Sequence, residues 1–200
     1  MQQIAQQQQQ QEQQQSRRSP DGAERIHGRA RLLGDDINTD YLIASSRKKD
    51  SLDPRVLRRY LLEDLDPAFA ASVADGDILV AGHNFGCGSA MEVAVTVVLA
   101  AGIRVVVARS FARTYWRNAI NNGLLLITAD TAGIAEGDAL ALRLDGASAE
   151  LLVGSPAHAA HAAPAAPALR IACEPVPDIV LTIRAAGGLV PYLRHHRKLA

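Results

Sequence analysis

The sequence predicts a mixed α/β domain with a β-rich second half, and two patterns carry that reading. Between residues 77 and 128 short apolar runs alternate with a glycine-rich loop and helical stretches, in the order strand, loop, helix, strand. That alternation marks βαβ units around a parallel sheet. Beyond residue 128 the pattern changes to short apolar runs flanking a Gly-containing turn, as in a hairpin.

The elements follow in order. Residues 1–25 form a Gln-rich tail that lacks the apolar residues needed to offset ordering entropy, so it is expected to be disordered. The domain proper is expected over 26–194. It opens with a strand candidate at 29–33, which runs into the polar turn cluster GDDINTD at 34–40. A helix is expected at 53–62: Asp53 can cap it, Pro54 suits its first position, and Val56, Leu57, Tyr60 and Leu61 share a face. A buried strand at 77–81 leads into the glycine-rich loop 82–89. An apolar helix follows at 91–101, ended by Gly102. Residues 103–108 read as a buried strand, 110–121 as a polar helix or turn, and 124–128 as a strand. Hairpin strands are expected at 139–144 and 149–153, with further strands at 169–173 and 178–183. The Ala/Pro/His-rich stretch 154–168 reads as a surface loop whose His158 and His161 are ordinary loop residues, and 195–200 as a polar tail.

The bulk numbers exclude several function classes. A 200-residue chain with 48% apolar residues can bury a core as one domain without staples. With 21 basic and 21 acidic residues it makes no electrostatic case for nucleic acid or for an acidic membrane. No run reaches the length of a membrane span, and residues 1–15 lack the apolar stretch of a signal peptide. Ser16, Arg17 and Arg18 give only a weak transit-peptide signal, so the cytoplasm is the expected compartment. Cys87 and Cys173 are too few for a disulfide scaffold or a Cys-only zinc site. An iron–sulfur cluster takes three or four thiolates. The chain is therefore expected to bind no metal or cofactor by itself.

Four segments are candidates for chemistry. His83-Asn84-Phe85-Gly86-Cys87-Gly88-Ser89 follows a buried strand and precedes a helix, where ligands of α/β domains bind. Its glycines permit close backbone approach, and unpaired N–H groups at a helix start can face an anion such as a carboxylate. Ser89 either faces that anion or caps the helix. Cys87 has no His pairing visible in sequence. Asp35, Asp36 and Asp40 offer carboxylates to a hard cation or, as a turn cluster, to caps and loop hydrogen bonds. Arg47-Lys48-Lys49 is either a solvated face or a grip for substrate carboxylates. The stretch from Arg109 to Gly123 is a site wall or an interface, or a helix with its own cap network.

Six segments in a fixed order resemble the small subunits of 3-isopropylmalate dehydratases, in the aconitase family. They are GDDINTD at 34–40, EDLDPAFA at 63–70, GDILVAGHNFGCGS at 76–89, ARSFAR at 108–113, RNAINNGLL at 117–125 and GGLVPYLR at 187–194. The resemblance spans roughly residues 29–194. It implies a swivelling β/β/α domain and a large partner subunit that holds a 4Fe–4S cluster. It implies isomerisation of 2- and 3-isopropylmalate by dehydration and rehydration, a step of leucine biosynthesis, with other hydroxy dicarboxylic acids such as homocitrate or dimethylmalate-like compounds as paralogue substrates. A third possibility is a non-catalytic partner of the large subunit.

The same resemblance makes Ser89 the base that takes a proton from carbon. Where the family reads Gly-Ser-Ser-Arg-Glu-His, this chain reads Gly88-Ser89-Ala90-Met91-Glu92-Val93. Gly88, Ala90 and Met91 thus stand at substrate-facing positions, without the usual second serine and arginine. Arg47, in a loop where the family carries specificity residues, is the candidate replacement cation. Met91 is expected either at a site wall or in the core.

Overall fold

The computed structural model describes residues 23–49, 51–155 and 168–196. The expectations for most of the Gln-rich tail, for most of the 154–168 loop with His158 and His161, and for the last residues of the polar tail lie outside them. In chain order the elements are β1 (Glu24–Leu32), α1 (Thr39–Leu42), α2 (Pro54–Leu57), α3 (Phe69–Ser72), β2 (Ile78–Ala81), α4 (Val93–Ala100), β3 (Val105–Ala108), α5 (Arg113–Asn122), β4 (Leu125–Thr128), β5 (Ala139–Asp145), β6 (Ser148–Gly154), β7 (Leu169–Ala172), α6 (Asp178–Ala185) and α7 (Leu189–His196).

The seven strands form one sheet in the order β4-β3-β2-β1-β5-β6-β7. Its first half is parallel, through β1–β2, β2–β3 and β3–β4. Its second half is antiparallel, through β1–β5, β5–β6 and β6–β7. The long β1 belongs to both: Glu24 to Arg29 pair with β5, and Ala30 to Leu32 pair with β2.

Strand residues alternate between two cores, as the period of two requires. Leu79, Ala81, Val106, Ala108 and Leu126 face a core built with α1, α2 and α4. Ile78, Val80, Val105, Val107, Leu125 and Ile127 face a second core shared with β5, β6 and α6. The antiparallel half therefore packs over one face of the parallel half, and helices cover the other. Helix α4, VAVTVVLA, is apolar on nearly every side; it buries Ala94, Val95, Val97 and Val98 and leaves its other four residues half-buried.

Four expectations change. Strand β1 begins at Glu24, so Glu24 and Arg25, expected at the end of a disordered tail, pair with Leu144 and Arg143 of β5. Residues 178–183 form a helix, not a strand. Asp178 lies in its first turn after Pro177, and Val180 and Ile183, three apart, are the residues it buries. The helix expected at 53–62 is a single α turn followed by a 3-10 turn at Arg58–Tyr60, because Leu61 and Leu62 turn inward to full burial and Leu62 takes a φ of 58°. The carboxy-terminal segment is helical as far as His196, where a polar tail was expected from 195.

Candidate active site at the carboxyl edge of the parallel strands

The glycine-rich loop leaves β2 at its carboxyl end and is held on both sides by backbone hydrogen bonds. On one side the Gly86 N–H donates to the Ile37 carbonyl (2.8 Å), and the Thr39 N–H donates to the Cys87 carbonyl (2.8 Å). On the other, the Phe85 N–H donates to the Ser110 carbonyl (3.0 Å), and the Ala112 N–H donates to the Phe85 carbonyl (2.9 Å). Loops from β1, β2 and β3 are thereby woven into one ledge. Isolated bridges Asn38–Cys87 and Phe85–Phe111 mark the same weave.

The acidic cluster serves this ledge. The His83 N–H donates to Asp35 Oδ1 (2.6 Å), and Asn84 Nδ2 donates to Asp36 Oδ1 (2.7 Å). Asn38 caps α1 by accepting from the Asp40 N–H (2.9 Å), and Asp40 accepts from Ser45. The three carboxylates point into different hydrogen bonds, which is the turn-and-cap alternative of the sequence reading. Among the described residues no group of three or more His, Cys, Asp and Glu side chains stands together as a metal donor set.

Ser89 stands exposed on the ledge. It is not the helix cap: α4 begins four residues later, with Glu92 in the capping position. Its carbonyl accepts from Thr39 Oγ1 (3.0 Å) and from the Met91 N–H (2.8 Å), which fixes the backbone. Its hydroxyl has no hydrogen bond among the described residues, and neither do the N–H groups of Gly88, Ser89 and Ala90. The Ser89 hydroxyl and three successive exposed N–H donors are thus left available to a ligand.

Arg47 and Met91 are placed otherwise. The Arg47 guanidinium makes a two-pronged pair with Glu63 (2.7 and 2.8 Å) and lies 4.0 Å over the Tyr60 ring. Reaching a substrate would require it to leave Glu63. Met91 is 6% exposed and packs in the first core. Its sulfur is 3.6 Å from Ser45 Oγ, so only its edge adjoins the loop beside Arg47. Of the two readings of Met91, the core is the one observed.

Neither cysteine is activated toward the thiolate by its surroundings. Cys87 donates weakly to the Asp36 carbonyl (3.5 Å), and burial, then the neighbouring Asp36 carboxylate, pushes its thiol up. Burial pushes the Cys173 thiol up to about 11. Two cysteines fall short of the three or four thiolates that an iron–sulfur cluster takes.

Sequence reasoning missed how the ledge is held. Thr39, nearly fully buried, and Asn38 read only as members of a polar turn, yet they clamp the Ser89 backbone and the turn beneath it. The one available signal was that two polar turn clusters each follow a strand of the same parallel set.

Residues 58–132, from the 3-10 turn through β4, match the aconitase C-terminal domain. The chain is 38% identical over 172 residues to the methanogen homoaconitase small subunit of Methanocaldococcus jannaschii, covering 86% of this chain and 93% of that one. It is 39% identical over 170 residues to the 3-isopropylmalate dehydratase small subunit of Moorella thermoacetica, covering 84% and 94%. The crystal structure of a 3-isopropylmalate dehydratase from Methanocaldococcus jannaschii superposes with a TM-score of 0.74 at 38% identity, covering 86% of this chain and 95% of that one. With near-complete coverage of such relatives and a shared fold, this chain belongs to the aconitase-type family of dehydratase small subunits.

Proposed function

We propose that this chain is the small subunit of a cytoplasmic hydro-lyase that interconverts 2-isopropylmalate and 3-isopropylmalate in leucine biosynthesis. The observation that carries the reading is the exposed, uncommitted Ser89 hydroxyl on a ledge of free N–H groups, in a chain that aligns along most of its length with 3-isopropylmalate dehydratase small subunits. In this proposal the Ser89 alkoxide takes the proton from substrate carbon as the neighbouring hydroxyl departs. It returns that proton when water adds back at the adjacent carbon. The N–H groups at Gly88 and Ala90 stabilise the alkoxide, and α4 adds the positive end of its dipole. A large subunit holds the 4Fe–4S cluster, which supplies Lewis acidity toward the substrate hydroxyl and carboxylate. Ala90 borders Ser89 on the exposed side, Met91 packs in the core, and Arg47 supplies a cation once released from Glu63.

The second reading is a paralogue acting on another hydroxy dicarboxylic acid. Met91 favours it, because the position lies in the core and brings no charge to the substrate. The homoaconitase small subunit among the relatives favours it too. A non-catalytic role is disfavoured by the free Ser89 hydroxyl.

The test is Ser89→Ala in the complex with the large subunit, assayed anaerobically on isopropylmalate and homoaconitate. Turnover should fall by about 10²–10⁴-fold, the range of an acid–base group, while association is unchanged. Retained turnover would remove Ser89 from the chemistry. Turnover of homoaconitate alone would replace the first substrate with the second.

A further inference from the structure

We infer that the cationic cleft at the start of α5 docks an acidic segment of the large subunit; this rests on the small-subunit reading above. The cleft, of about 360 Å³, opens beside the Ser89 ledge and is lined by Arg109, Arg113 and Arg117, the rings of Phe111 and Trp116, and one carboxylate, Glu174, together with Ser110 and Thr128. Ser110 belongs to both structures: its hydroxyl accepts from the Asn84 N–H (2.8 Å) and its carbonyl from the Phe85 N–H (3.0 Å). A partner that closes over Ser89 approaches this same edge of the sheet.

The local electrostatics call for an anion from outside. Arg113 is the first residue of α5, and Arg117, four residues on, shares its face. Both are exposed, and neither is paired with a carboxylate among the described residues. Like charges four apart on a helix repel, and cations at a helix start oppose its dipole. Nothing in α5 relieves this, since Ala112 gives no side-chain cap and the first turn has no acidic residue. Arg109 is half-answered: a terminal nitrogen meets Asp130 (3.2 Å), but its Nε is buried without an acceptor.

The shape favours a protein carboxylate. Phe111 and Trp116 meet edge to face at 5.6 Å and make an apolar wall along which the methylenes of Glu or Asp can lie. Arginine and tryptophan are the residue types that dominate association energies. The chain as a whole is neutral, so this cationic surface is local and can orient the approaching partner.

The experiment compares wild type with the double variant Arg113→Glu/Arg117→Glu in binding to the intact large subunit, at low and at high salt, with turnover measured at saturating small subunit. Arg113→Glu places an acid at the helix start, where it is favoured, and Arg117→Glu leaves one like-charge pair in place of another, so thermal stability should change little. The milder Arg113→Gln/Arg117→Gln guards against misfolding. The expected result is a Kd raised at least about tenfold at low salt, a flattened salt dependence and an unchanged kcat, as for removal of a steering charge pair. Unchanged Kd and salt dependence, in a small subunit whose wild type associates, would overturn the docking assignment alone. A raised substrate KM with unchanged association would also overturn it, and make the cleft a substrate site. Failure of wild type itself to associate would overturn this assignment together with the small-subunit reading.

Discussion

At the scale of single residues, two glycines of the active ledge are required for different reasons. Gly86 has a φ of +80°, and a Cβ there would run into the ring of Tyr115, which is 1% exposed. That ring cannot retreat, because it also packs edge to face on Phe85 at 5.2 Å. Gly88 has a φ of +91°, and its Cβ would meet the side chain of Asn38, which can move at the expense of the α1 cap. Gly86→Ala should therefore cost stability, about 2–3 kcal/mol from backbone strain and overpacking together, read as a lower midpoint in urea. Gly88→Ala should cost less stability, about 1–2 kcal/mol of backbone strain. Its larger effect should be on kcat, on the proposal that the next residue, Ser89, is the base. The glycine positions were legible in sequence as a tight strand-to-helix turn. Their partners Tyr115 and Asn38 were not, since nothing local ties residue 86 to 115 or 88 to 38.

At the scale of elements, one charged cluster joins β1, α3 and the start of β2. Asp77 is completely buried and accepts from Arg29 (2.8 and 3.2 Å), from Arg31 (3.4 Å) and from the Ala74 N–H (3.0 Å). Arg31 also binds Ser72 and Glu136, and stacks 4.5 Å over Phe69. Burial pushes the Asp77 carboxyl up, but the hydrogen bonds from Arg29, Ala74 and Arg31 outweigh it and hold the group below the usual carboxylate range. A carboxyl with a depressed folded pKa stabilises the fold fully above its unfolded value, near pH 4, and loses that contribution as pH falls through the folded value. Asp77→Asn should lower stability at pH 7 by about 1.5–3 kcal/mol, the range for losing charge-assisted hydrogen bonds, since Arg31 keeps Glu136 and Arg29 is partly exposed. The difference from wild type should shrink only below about pH 4, as denaturant midpoints across pH would show.

The parallel half was legible at this scale because its buried strands are continuous apolar runs bounded by glycine and polar turns. Helix α6 was not. Ile179, Val180 and Ile183 are β-branched and mimic a strand, and the helix-start signals at Pro177 and Asp178 are short-range cues that the apolar run outweighs. The hairpin β5–β6 was legible, but not that β1 would carry it as well as β2, because that pairing spans more than a hundred residues.

At the scale of the whole molecule, the substrate question becomes one of packing. Met91 stands where the resemblance leads one to expect an arginine, and here it lies in the core that also holds α1, α2 and α4. Met91→Leu keeps volume and chemistry, so it should cost under about 1.5 kcal/mol and leave the preferred substrate unchanged. Met91→Arg pushes a guanidinium into that core. The nearby Asp40–Ser45 pair is the first polar group it can reach, through the Ser45 hydroxyl that already touches the Met91 sulfur. The isolated variant should lose about 3 kcal/mol or more, the range for an uncompensated buried charge. A substrate carboxylate that pairs with the new guanidinium would return part of that loss as ligand-dependent stabilisation. The measurement is thermal unfolding of the complex with and without each hydroxy acid, alongside turnover. If Met91→Arg raises turnover of isopropylmalate while that acid restores the melting temperature, the wild-type core has evolved around a different substrate. If turnover falls and no acid restores stability, Met91 is a packing residue, and the charge for the second carboxylate comes from Arg47 or from the large subunit.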